Sequence, residues 1–303
     1  MQISINEIEL YMNCPRSYKL RYCDGIEAEK KALSLCKATA IRKVVQQIHG
    51  GILENVKPED IELFCENIWQ EEITNADQEE LDTIVIQEKP ATSKKEAVPS
   101  VSKGQRALEN LKTWAVHYAE LEKEAQVIYN DVPFEDTIGD TTFTGTISQI
   151  RKHPQEGWQV IVFNSCSQLP GFAYLKRNFS ISLYAHALWQ GLLEVNGEKI
   201  TIAEIPAVYL YYFSNLELYK KSNGKSQKGD LKGDPWIPVH RSKADLLRFE
   251  YEILYVASGI QLGFYPMNVS RPGGCELCHF SHGCNEVTID NAVKNNLELV
   301  ESK

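Results

Sequence analysis

No apolar run in the 303-residue sequence approaches the ~18 residues that span a bilayer, which argues against a membrane-crossing helix. Met1, Gln2, Ile3 and Ser4 open the chain without the basic and apolar regions of a secretory leader, so the expected location is cytoplasmic. No internal repeat is visible, which sets solenoids and propellers aside. Basic charge is scarce overall, with a net charge of −9, but the deficit is local. Residues 54–89 hold 12 acidic and 2 basic side chains, a balance of −10, so the remainder of the chain carries +1. The acidity therefore leaves room for an anionic partner elsewhere on the surface.

What is present is a large, globular composition, 43% hydrophobic and 10% aromatic, with ample core for one large domain or two modest ones. Ser4 and Glu7 have the spacing of a capping box and start a helix that carries Ile8, Leu10, Tyr11 and Cys14, then Tyr18 and Tyr22, to a stop at Gly25. Helical spacing predicts further helices over 35–52, from Pro58 through Trp69, and over 105–125. Between them, 89–103 turns to Pro, Ser, Thr, Ala and Lys, as loops and linkers do. The period then changes to two, predicting strands over 127–134, 141–151 and 158–164. A helix over 179–193, a buried strand over 205–213, a short strand at Trp236 and a final helix over 243–262 complete the order.

Eight cysteines in a cytoplasmic chain point to metal binding more than to disulfides. Cys275, Cys278 and Cys284 stand at x2 and x5 spacing, with Gly273, Gly274 and Gly283 letting the backbone bend around a centre. Three thiolates are one short of four. Cys14, followed by Pro15, Arg16, Ser17 and Tyr18, is the other cysteine in a comparable setting, nearly the whole chain away. If it is the fourth, the centre staples both ends of the chain together. Structural zinc competes for the same residues, with His279 or His282 able to replace one cysteine.

This order of elements, with one cysteine early and the triple late, resembles the iron–sulfur branch of the PD-(D/E)XK nuclease superfamily. That branch includes the RecB-like nuclease domain of AddB-type helicase–nucleases and the CRISPR-adaptation exonucleases. The resemblance implies an α/β (α+β) fold with a restriction-endonuclease-like core sheet flanked by helices. It implies a [4Fe-4S] cluster on Cys14, Cys275, Cys278 and Cys284 that pins the C-terminus to the first helix. It divides the chain into a helical region over 1–125 with its acidic segment and a linker at 89–104, a nuclease-like core over 126–265, and a cluster-binding segment over 266–303.

The family's chemistry needs carboxylates that hold Mg²⁺ or Mn²⁺ at the scissile phosphate and a lysine that stabilises transition-state charge. The resemblance places an early-helix histidine at His49. It places the second-strand aspartate at Ser148, after Gly145, and the third-strand D-x-K at Val162 and Asn164. The Q-h-x-x-Y helix becomes Ser180 to Tyr184. Two carboxylates and the cation are thus absent together, and a hard divalent ion has little to bind. The expected site is a pseudo-active site, with His49 more simply a structural histidine. Displaced acids that could restore a metal site are Asp131, Glu135, Asp136 and Asp140.

A nucleic-acid groove can outlast its chemistry. Lys220, Lys221, Lys225, Lys228, Lys232, Arg241 and Lys243, against Asp230 and Asp234, give +5 within 24 residues. Tyr209, Tyr211, Tyr212, Tyr219 and Trp236 border them, a mixture suited to single-stranded DNA or equally to a solvated hairpin over a tyrosine core. Three functions compete: an inactive nuclease-fold protein that binds nucleic acid or builds a DNA-processing or CRISPR-associated assembly, an active Mg²⁺/Mn²⁺-dependent deoxyribonuclease with displaced acids, and a protein–protein adaptor.

Overall fold

A computed structural model describes residues 1–26, 32–50, 57–85, 101–122, 127–164, 171–190, 193–195, 198–200, 202–212, 236–270, and Cys275, Cys278, Phe280 and Cys284. The chain opens with strand β1 (Gln2–Ser4) and helix α1 (Ile5–Asn13). The capping box forms as its residues require: Glu7 N–H donates to Ser4 Oγ at 3.3 Å and Ser4 N–H to Glu7 Oε2 at 2.7 Å. The expected single helix to Gly25 is interrupted. Cys14 is extended (φ −158°), because Pro15 has no N–H to continue the ladder and instead starts α2 (Pro15–Tyr18). A wider helical turn follows, closed by Asp24 N–H on Lys19 C=O at 2.9 Å.

Helices α3 (Leu33–His49), α4 (Pro58–Ile73) and α5 (Gln78–Asp82) precede a small ribbon, β2 (Ile84–Val85) with β3 (Val101–Ser102). Pro58 stands at the first turn of α4, where its missing N–H costs nothing. Helix α6 (Lys103–Glu122) leads into the meander β4 (Val127–Ile138), β5 (Thr141–His153) and β6 (Gly157–Asn164). Then come α7 (Phe172–Arg177), α8 (Phe179–Trp189), the short pair β7 (Leu193–Val195) and β8 (Glu198–Ile200), β9 (Ala207–Tyr212), β10 (Trp236–Val239) and α9 (Lys243–Gln261). The predicted linker falls mostly outside the described residues, as do Lys220, Lys221, Lys225, Lys228 and Lys232. Among the described residues no helix is long and apolar enough to cross a membrane.

Seven strands run in the order β10-β9-β6-β5-β4-β7-β8, and β1 joins β5 in parallel, Ile3 opposite Phe143. β6 and β9 are also parallel, so the sheet is mixed. One core cluster packs α1, α8 and α9 on the sheet through Ile8, Phe143, Ile150, Val160, Val208, Leu183 and Phe249. The other packs α3, α4 and α6 through Val44, Trp69, Trp114 and Tyr118 against Ile161 and Tyr211. The sheet is therefore a middle layer between two helical layers, as strands buried on both faces require.

Gly145, part of the second-strand motif, has a packing reason to be glycine. A Cβ there would lie 2.7 Å from Phe134 Cε1 and 3.1 Å from Ile5 Cγ2, where α1 meets the β4–β5 pair. Gly145→Ala is expected to cost about 1–3 kcal/mol through overpacking, measured by denaturant unfolding.

Candidate functional site

The strand motif positions lie on the β5–β6 pair, where Gln149 faces Ile161 and Ile150 faces Val160. The alternation along β5 breaks at Ser148, since Ile147 and Ile150 both lie in the α1/α8/α9 cluster. Val160 is in the α1/α8/α9 cluster and Val162 packs against it, whereas Ile161 belongs to the α3/α4/α6 cluster. His49, near the end of α3, sits on the Ile161 side, with Nε2 2.8 Å from Tyr118 Oη. Asn164 is half-buried at the end of β6, opposite Tyr212. Ser180 and Tyr184 are on α8, and Tyr184 packs against the same cluster as Val162. The Ser180 hydroxyl donates to Glu9 of α1, and the Tyr184 ring meets Phe134 edge-on at 6.0 Å. Sequence reasoning gathered these six positions into one site. The structure sets His49 on the Ile161 side, whereas Val162 and Tyr184 pack against the α1/α8/α9 cluster.

On the His49 side the strands carry Gln149, Arg151, Ile161 and Phe163, and the centre of the arrangement is Arg151, 6% exposed. Its Nη1 donates to Glu122 Oε2 at 2.5 Å, its Nη2 to Tyr118 Oη at 2.8 Å, and its Nε to Gln149 Oε1. Trp236 stacks 5.0 Å from the guanidinium, and Gln149 Nε2 donates to Asn130 Oδ1 at 2.9 Å. Arg151 fills one lone pair of the Tyr118 oxygen, which leaves the hydroxyl proton free to point at His49 Nε2. Burial first, and the Arg151 charge second, push the His49 pKa down to about 4, so the imidazole is neutral near pH 7. Neither strand register places a carboxylate on the β5–β6 pair. The acid at hand, Glu122, is already joined to a fixed cation. This arrangement suits a rigid polar core and opposes a divalent ion. The available signal for Arg151 is its place between Ile150 and a turn, in phase with Gln149, where a strand buries its side chains.

Of the displaced acids, Asp131 is the unusual one. Its backbone is left-handed (φ 48°), and both carboxylate oxygens are buried with no hydrogen bond. Arg42 Nε stands 3.7 Å away, and burial holds the carboxyl above its ordinary pKa. Asn130 pairs with Gln149 and Val132 with Ile147, so Asp131 lies across from Ser148. Glu135 and Asp140 are exposed, and Asp136 is committed to His186.

At the cysteines the two chain ends meet. Arg16 N–H donates to Pro266 C=O at 3.2 Å, Asn268 Nδ2 to Asn13 C=O at 2.8 Å, and Tyr11 Oη to Phe264 C=O at 2.7 Å. Tyr18 stacks on Tyr265 at 5.8 Å. Ser17 Oγ is 3.7 Å from Cys278 Sγ, and Cys278 N–H closes a turn onto Cys275 C=O at 3.1 Å. Burial pushes the Cys14 thiol up, but N–H donors of Asn268, Ser17 and Arg16 and the Ser17 hydroxyl outweigh it and lower the pKa. For Cys284 burial dominates upward, Arg16 pulls back, and the neighbouring Cys14 and Cys278 push up again. Among the described residues no three metal-ligating side chains form a ready-made constellation. What the structure supplies is proximity of Cys14, Cys278 and Cys284 and a cradle of donors that favours a thiolate at Cys14.

The two described members of the basic set differ. Arg241 is buried: its Nε donates to Ser182 Oγ at 2.8 Å and its Nη2 to Leu175 C=O at 2.7 Å, so it ties α8 to the strand end. That position gives Arg241 an internal role in place of the expected contact with nucleic acid. Lys243 is exposed, 6.0 Å over the Trp189 ring.

No curated protein matches the chain. Among 11 matching chains of solved structures is one from Eubacterium rectale described as a "putative exonuclease". It is 9% identical, with 93% of this chain and 87% of that chain covered at a TM-score of 0.48. The sequence model of the PD-(D/E)XK nuclease superfamily matches residues 2–285, nearly the whole chain, and the protein belongs to that superfamily.

Proposed function

We propose that this chain is a catalytically inactive member of its superfamily that holds nucleic acid, or builds a larger DNA-processing or CRISPR-associated assembly, instead of cutting. The observation that carries this is the strand pair beside His49. Gln149, Ile161 and Phe163 stand there, Val162 packs into the opposite layer, Ser148 and Asn164 are neutral, and Arg151 supplies a fixed positive charge. A Mg²⁺ ion needs several oxygen ligands in near-ideal geometry, and these side chains offer no charged one. Cys14, Cys275, Cys278 and Cys284 would hold a [4Fe-4S] cluster whose contribution is to fasten the two chain ends. The lowered Cys14 thiol supports a soft-metal ligand there without deciding between iron–sulfur and zinc.

The test is incubation of anaerobically purified protein with labelled single-stranded DNA and Mn²⁺. Expected are retention of the DNA, weakened by charge reversal at Lys220, Lys221 and Lys225, and no cleavage. Asp131 favours one rival, an active nuclease with a displaced acid, because a strained, desolvated carboxylate is typical of a working group. Cleavage that a chelator stops and Asp131→Asn abolishes would establish that rival. On the inactive reading Asp131→Asn leaves the DNA intact and changes only stability.

A further inference from the structure

His186, on α8, is 3% exposed and stands between carboxylates from two other elements. Its Nδ1 is 2.5 Å from Asp136 Oδ2 on β4, and its Nε2 is 3.1 Å from Glu250 Oε1 on α9. Asp136 is wholly buried, and its Oδ1 has no hydrogen-bond partner among the described residues. Trp189 and Phe249 wall the imidazole, at 6.0 and 6.1 Å between ring centroids. The charged groups around it are therefore Asp136 from the sheet and Glu250 from α9, with Lys243 beyond the Trp189 ring. Glu9 of α1 meets α8 at Ser180, nearly two turns away. The Glu250 side chain is 29% exposed, which gives protons a route to solvent.

We propose that His186 is a proton-controlled latch that fastens α9 to the sheet through Asp136 and Glu250. The protonated ring has two N–H donors, one for each carboxylate. The neutral ring has one donor and one lone pair, so one carboxylate must face a lone pair. Burial disfavours the charged ring, but the hydrogen bonds and charges of Asp136 and then Glu250 outweigh it and raise the pKa above its ordinary value. The sign follows from linkage. A group with a raised folded-state pKa stabilises fully below its unfolded pKa, and that stability is lost as pH rises through the folded value. Between the open-state pKa and the raised folded value, opening releases one proton, so the closed-to-open ratio falls by about tenfold per pH unit there and levels off above the folded value. The consequence reaches the cysteines. α9 carries Gly259, where a Cβ would lie 2.5 Å from Tyr11 Oη, and runs on to Phe264, whose carbonyl accepts the Tyr11 hydroxyl. Opening the latch loosens the place where the C-terminal segment meets α1.

Amide hydrogen exchange between pH 6 and 9, corrected for intrinsic rates, tests this. In the unmodified protein, protection of α8 and α9 is expected to fall by up to about tenfold per pH unit from the ordinary imidazole value up to the raised folded value and then to level off, while α3, α4 and α6 stay constant. His186→Gln should remove the pH dependence. Glu250→Gln keeps the Asp136 contact and should move the midpoint to lower pH. Equal profiles for the unmodified protein and His186→Gln, or equal loss in α3, would overturn the proposal. If His186→Gln does not fold, Glu250→Gln decides alone, and an unmoved midpoint is the adverse result.

Discussion

Replacing Cys278 with serine is expected to lower the melting temperature of the whole chain by about 10 °C or more, because a structural metal site contributes on the order of 10 kcal/mol and each kcal/mol moves the midpoint by about 2–4 °C. Cys278 belongs to a segment that meets α1 and α2: Ser17 reaches its sulfur, Arg16 bonds Pro266 and Tyr11 bonds Phe264. Those contacts alone are a few hydrogen bonds, each contributing about 1 kcal/mol. A large drop therefore measures the proposed centre and not the surrounding contacts. Cys23→Ser is the control, since Cys23 is exposed and its thiol only reaches the Tyr265 hydroxyl at 3.5 Å. It should shift the midpoint by a degree or two at most, about 0.5 kcal/mol. Iron and sulfide content, or zinc content, identifies the metal in the same samples. An unchanged midpoint for Cys278→Ser, with metal still bound, would count against a clamp joining the chain ends.

The elements themselves were legible because each rests on a local rule. Ser4 and Glu7 announced α1, the two-residue period announced β4 to β6, and Lys243 to Gln261 carried its apolar stripe at helical spacing. β1 was missed because three residues are too few to show a period, and its partner Phe143 lies 140 positions away. The site was harder for a related reason. Which face of a strand looks at which helix depends on parity, and a one-residue slip exchanges every side chain between layers. The apolar run at Ile161 to Asn164 could not say that His49 would meet Ile161's side, because that follows from how α6 brings Tyr118 to His49 across 69 positions. Arg241 and Lys243 looked alike in a basic stretch. Only the position of Ser182 and the Leu175 carbonyl makes one of them internal. The meeting of the chain ends, by contrast, was readable from Cys14 and a distant triple one ligand short of four.

Arg151→Met is expected to destabilise the fold by about 3–5 kcal/mol, the cost of leaving a buried charge without its partner. The substitution keeps the length of the side chain but strands Glu122, whose carboxylate is 12% exposed, and removes donors from Tyr118 and Gln149. The distinguishing measurement is the double variant. If Arg151 and Glu122 form an inert core pair, Arg151→Met with Glu122→Leu should recover most of the loss, since apolar replacement of both partners is commonly neutral or stabilising. His49 reports the same event from another direction. Burial alone then holds its pKa down, so with Arg151 gone the value should rise from about 4 toward the ordinary imidazole range, visible in a proton NMR titration. If the double variant stays as unstable as the single and His49 does not move, Arg151 is not the charge that fills this face of the sheet. If both respond, the place beside His49 is held by an ion pair that a catalytic metal would have to displace, which is a physical reason for a nuclease fold to bind without cutting.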